Sequence, residues 1–210
     1  NMKDLLVLFE ALEPFAVPQR YANWKVQLQA PVPETFYVGQ RNWLFYGLAA
    51  ETLRIRLGLS DRIDYIDRVL EAEFPWWTEH GMYRDPNDPA TYDLTVRQCL
   101  AFMLENGYNG RHLEWVRETL RKGAMATLLF VSPAGAAPCG GRSNQYHHME
   151  GMIAYIAEHQ AKQAWAAGHT TLAGAFRHVA LTGAEAASRW MLLNPYLCTK
   201  NLMRTEPFFG

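Results

Sequence analysis

Cysteine is scarce in this sequence, and the few present cannot pair off. Cys99, Cys139 and Cys198 are odd in number and far apart, which excludes a disulfide framework and a Cys-x-x-Cys metal site. An excess of charge of one sign is lacking too. Twenty Lys and Arg stand against 21 Asp and Glu, for a net charge of −1, and no basic stripe marks a nucleic-acid surface. No apolar run approaches the roughly 18 residues of a membrane span, so no membrane partner is expected. Alternating strand patterns are missing throughout. His-Glu-x-x-His is absent, and the single His147-x-x-Glu150 pair has no match on a second helix, so no metal is expected. Gly140-Gly141 follows no strand and makes no dinucleotide loop, so no cofactor is expected either. The chain opens at Asn1 rather than methionine, and the lack of a leader-like stretch therefore assigns no compartment.

What is present is helix. At 210 residues, 49% hydrophobic and 20% charged, the chain has the length and composition of one globular domain over 1–210. Apolar residues recur at helical spacing over Met2–Glu13, Gln19–Ala30, Gln40–Leu57, Asp61–Thr78, Tyr92–Asn106, Arg111–Val131, Asn144–Ala167 and Thr170–Leu193. The predicted class is all-α. Connections alternate in length. Pro14–Pro18, Gly58–Ser60, Gly107–Gly110 and Gly168–His169 are short; Pro31–Gly39, Glu79–Thr91, Ser132–Ser143 and the stretch from Asn194 onward are long. In an up-down array of antiparallel hairpins alternate connections fall at opposite ends, so the long loops are expected on one rim. Binding and catalytic groups concentrate on such loops.

The stretch from Cys139 to Glu150, CGGRSNQYHHME, is the densest chemistry in the chain. Together with MYRDPNDPATYDLTVR (Met82–Arg97) and SPAGAAPCGGRSNQYHHMEG (Ser132–Gly151), it resembles toroidal glycoside hydrolases of the bacterial β-glucuronidase kind. RSNQYHHM is also similar to the corresponding stretch of heparinase-type and alginate-type polysaccharide lyases. The resemblance is strongest over Glu79–Glu150 and extends to the flanking helices by architecture alone. It implies an α/α toroid acting on an acidic, uronic-acid-containing oligo- or polysaccharide. A full toroid has more helices than the eight segments read here, and the chain ends at Phe208-Phe209-Gly210 within a long loop, so a C-terminal portion is expected to be absent.

Hydrolysis needs two carboxyl groups flanking the glycosidic bond. Asp93 and Glu150, each near a helix start after a long loop, are the candidates. Asp93 also suits a helix first turn, where the dipole favours an anion and Thr91 offers a cap. Asp85 and Asp88 read as turn formers. Elimination needs a base, an acid and a grip on the uronate carboxylate. Tyr146 and His147 supply the first two, while Arg142, Asn144 and Gln145 supply the third. Tyr83, Arg84 and His148 complete the expected substrate contacts, although His148, Met152, Tyr155 and His159 also have the spacing of an interhelical seam. Among the aromatics, Trp43, Trp115, Trp165 and Trp190 read as core, whereas Tyr37, Trp76, Trp77, Tyr83 and Tyr146 read as sugar platforms. Hydrolysis comes first among the expected functions, elimination second, and a non-catalytic glycan- or protein-binding helical module third. The sequence assigns no oligomeric state.

Overall fold

The computed structural model describes residues 2–31, 41–86, 88, 90–138 and 148–193. Among them are eight α-helices: α1 Met2–Leu12, α2 Pro18–Leu28, α3 Arg41–Arg56, α4 Ile63–Glu73, α5 Ala90–Glu105, α6 Leu113–Phe130, α7 Met149–Ala166 and α8 Thr170–Leu193. The only extended pairing described is one antiparallel bridge, Trp77 to Tyr83. The chain is all-α. No helix among the described residues is long and apolar enough to cross a membrane.

Local chemistry sets the ends. Pro18 opens α2, where its missing N–H is not needed. The expected helix through Thr78 stops at Glu73, because Pro75 cannot continue the hydrogen-bond ladder and a 3-10 turn Phe74–Trp76 follows. α3, α5 and α7 end alike. Gly58, Gly107 and Gly168 adopt φ of +67°, +83° and +78°. In each case the next residue's N–H reaches back five residues, Leu59 to Arg54 O, Tyr108 to Met103 O and His169 to Ala164 O. The glycine N–H bonds in turn to the carbonyl three residues before it. This is the Schellman closure, and it builds the three described short connections between α3 and α8 on one plan.

The chain divides into two compact units, one of residues 1–75 and 99–117, the other of 76–98 and 118–210. In the first, Leu6, Phe9, Ala50, Leu53 and Leu59 form the core, with Phe102 against it. α1 runs beside α3 in the same sense, since Met2 and Ala50 line one cavity while Glu10 pairs with Arg56 at 2.6 Å. Arg54, 2% exposed, bonds Glu51 at 3.0 Å and the carbonyls of Gln29 and Ala30 at 3.1 Å, sealing the end of α2. Cations belong at that end of a helix. Asp67 is likewise enclosed, accepting from Tyr108 Oη at 2.6 Å and from the Arg111 amide at 3.1 Å.

In the second unit α7 and α8 form a closely packed antiparallel hairpin. Its core comprises Leu94, Met149, Met152, Ile153, Ile156 and Phe176, with smaller residues between them. The first half of α5 lies parallel to α7: Thr91 Oγ1 meets Met149 Sδ at 3.2 Å, and Thr95 Oγ1 meets Met152 Sδ at 3.7 Å. The end of α6 turns back along the start of α5, where Arg97 Nη1 donates to Thr127 Oγ1 at 2.8 Å. Two Trp residues depart from the sequence reading. Trp43 and Trp165, expected in the core, are 61% and 68% exposed. Each lies in a terminal turn of its helix, where a position inside the element does not determine which way the ring faces.

Candidate functional site

The contact of Thr91 with Met149 brings the starts of α5 and α7 together, and with them the ends of two long loops. The first turn of each helix holds a carboxylate: Asp93 is 4% exposed and Glu150 is 1% exposed. Each reaches back to its own loop. Asp93 Oδ1 accepts the backbone N–H of Tyr83 at 2.8 Å, and Glu150 Oε1 accepts that of Ala137 at 3.2 Å. An acidic side chain suits a helix N-terminus because the dipole favours it there. In both helices the same side chain also ties the helix start to a backbone amide ten or more residues earlier in the chain.

Asp93 is held from a second side. Arg97 Nε lies 3.1 Å from Oδ1 and 3.0 Å from Oδ2, and Nη2 lies 2.6 Å from Oδ2. Arg97 is itself 1% exposed. The loop above is a tight ribbon in which Thr78 N–H bonds Met82 O at 2.9 Å and Arg84 N–H bonds Trp76 O at 2.7 Å. Gly81, at φ +71°, carries its backbone directly against Thr119 and Gly123 of α6, leaving no room for a Cβ on either glycine. The second loop is pinned similarly, with Ser132 Oγ accepting from the Ala136 amide at 3.1 Å and Gly135 seated against the backbone of Thr182.

The remaining sequence candidates are distributed as follows. Tyr83 is buried, 3% exposed, with its ring 5.2 Å from that of Trp77 in an edge arrangement. Arg84 is exposed and pairs with Asp88 at 3.2 Å. Asp88 has φ of 45°, the conformation that suits Asp in a turn. Asp85, read as a turn former, is buried at 3% exposure. His148 stands half-buried immediately before α7. The helix is described from Met149, so Glu150 lies in its first turn and not further along as the pattern suggested. Arg142, Asn144, Gln145, Tyr146 and His147 lie outside the described residues, as do Tyr37, Cys139 and Cys198. The structure therefore brings Asp93, Tyr83 and the α7 start bearing Glu150 into one cluster, while Arg84 faces solvent.

Arg97 and Thr127 were not singled out from the sequence. The signal for Arg97 was present as its i,i+4 spacing from Asp93, which lets the two side chains meet on a helix. Nothing in the sequence points to Thr127, whose role depends on the packing of α6 against α5. Among the described residues no group of three or more His, Cys, Asp or Glu is placed to hold a metal ion. Burial pushes the Cys99 thiol up to about 12, which leaves it no thiolate at neutral pH. Compared with protein-family models, with curated proteins and with solved structures, the chain matches none of them.

Proposed function

We propose that this chain forms helical hairpins of an α/α toroid and acts on a uronic-acid-containing glycan. Two features support the toroid: the parallel packing of odd-numbered helices, α1 beside α3 and α5 beside α7, and the repeated Schellman turns. The observation that carries the site is the meeting of two loop-fed helix starts, each with a buried carboxylate, the α7 start coming directly after the chemically dense sequence Arg142–His147.

The detailed geometry favours elimination over hydrolysis. Hydrolysis requires two carboxyl groups that reach one bond. Asp93 is committed on both oxygens to Arg97, with the Tyr83 amide in addition, and Glu150 holds the Ala137 amide. Both act as loop anchors. The reacting groups of the proposed lyase are then Tyr146 and His147. One removes the proton α to the uronate carboxyl, the other protonates the oxygen that leaves as the C–O bond breaks, and Arg142, Asn144 and Gln145 hold the carboxylate. Arg is suited to that grip because its planar fork binds both carboxylate oxygens.

Incubation with a panel of uronic-acid oligosaccharides, reading ultraviolet absorbance of unsaturated ends beside reducing ends, tests this. Unsaturated product lost in Tyr146→Phe or His147→Ala by about a hundredfold or more, but kept in Glu150→Gln, is the expected result. Reducing ends without unsaturation, abolished by Glu150→Gln, would establish hydrolysis by the carboxylates instead. Binding with neither product would leave a glycan-binding module.

A further inference from the structure

Among the described residues Arg54 is nearly the most enclosed cation, at 2% exposure, and its contacts leave one nitrogen over. Nη1 bonds Glu51 and Nη2 bonds two carbonyls, but the fully buried Nε has no hydrogen-bond partner. A buried guanidinium N–H left without an acceptor is costly, and buried polar groups are satisfied by protein or by ordered water. Beside it lies a cavity of about 10 Å³ lined by Met2, Ala50, Glu51, Arg54, Arg62 and Tyr65. That volume is close to the least that admits one water molecule, roughly 10–15 Å³, and is too small for an organic ligand.

We propose that this cavity is a binding site for one long-lived water that completes the Arg54–Glu51 ion pair. The water accepts from Arg54 Nε–H and donates to the Glu51 carboxylate. Each Glu51 oxygen already accepts one bond, Oε1 from Ser60 and Oε2 from Arg54, and each keeps a second lone pair for another donor. A water suits the site better than an anion does, because the space is at the floor for one water molecule and Glu51 is already paired with Arg54 in its wall. The bound molecule thus belongs to the clamp by which Arg54 holds the end of α2 on α3. This inference is independent of the proposed activity.

The test observes the Arg54 Nε–Hε group directly by nitrogen-15 NMR, with its signal assigned by its loss in Arg54→Lys. Water-selective NOE and ROE spectra of the unmodified chain are expected to show a cross-peak at Arg54 Hε. Its NOE should have the sign of a water resident for longer than nanoseconds. Ala50→Val fills the cavity with methyl groups and should abolish the cross-peak and lower the melting temperature. Gly47→Ala, a smaller change at another lining residue, should also remove the cross-peak by placing a non-exchanging methyl in the same space, and it decides the matter where the valine variant does not fold. No long-lived water signal at Arg54 Hε in the unmodified chain overturns the proposal. So does a signal that persists unchanged in either variant.

Discussion

Replacing Asp93 with alanine tests whether the buried carboxylate at the start of α5 is an anchor. The substitution leaves Arg97, 1% exposed, with a charge opposed by no carboxylate in its described hydrogen bonds. Breaking a buried pair from one side costs about 3–5 kcal/mol, because the surviving ion stays desolvated. The Tyr83 amide loses its acceptor in the same step, a loss of about 1–3 kcal/mol on its own. The two losses share one carboxylate and are not summed; about 4 kcal/mol is the working figure. With a urea m-value of about 2–3 kcal/mol/M, the midpoint should fall by roughly 1.3–2 M. Asp93→Leu combined with Arg97→Met removes both charges and replaces them with apolar volume. Because a buried ion pair is often replaced at little net cost, the double variant should recover about 2–3 kcal/mol relative to the sum of the single variants. Urea melts of the unmodified chain, Asp93→Leu, Arg97→Met and the double variant, read by far-ultraviolet circular dichroism, supply the cycle, with Asp93→Ala melted beside them. A midpoint shift under about 0.4 M for Asp93→Ala, or strict additivity in the cycle, refutes the buried-pair argument.

Three further outcomes follow from the described contacts. Tyr108→Phe removes the donor to Asp67 and should destabilise by about 1–3 kcal/mol, measured by thermal melting. Burial, and after it the hydrogen bond to Asp67, raises the Tyr108 phenol above its ordinary value. The unfolded chain therefore loses this proton first, so the contribution is intact below about pH 10 and is lost as pH rises beyond it; Tyr108→Phe should flatten that alkaline slope in melts run from about pH 8 upward. Gly107→Ala forces a Cβ into a left-handed position with open space around it, so strain alone should cost about 1–2 kcal/mol, whereas Gly123→Ala should cost more, because its Cβ would meet the Gly81 backbone and Arg97. Equal melting temperatures for the two glycine variants would show that the Gly81–Gly123 approach is not tight in solution.

The fold class was legible because helix periodicity is local. Ile66 and Leu70 fall on one face of α4 by spacing alone, and both are fully buried. The glycines at 58, 107 and 168 marked the turns for the same reason: a left-handed residue after a helix is a local demand. Long-range geometry was not legible. The pattern flagged Asp93 and Glu150 as carboxylates near helix starts, and that much is a matter of sequence. Whether such a group faces a substrate or its own preceding loop depends on the path of ten or more residues of loop backbone, and periodicity carries no information on that path. The Tyr83 and Ala137 amides fall where Asp93 and Glu150 can take them because Gly81 and Gly135 let the loops sit flush against α6 and α8. The same close approach gives Arg97 its place between α5 and α6. In its described contacts the acid pair near the two helix starts holds the preceding loops, Asp93 through the Tyr83 amide and Glu150 through the Ala137 amide. The oligosaccharide assay separates an anchoring role from a reacting one by whether Glu150→Gln abolishes the product.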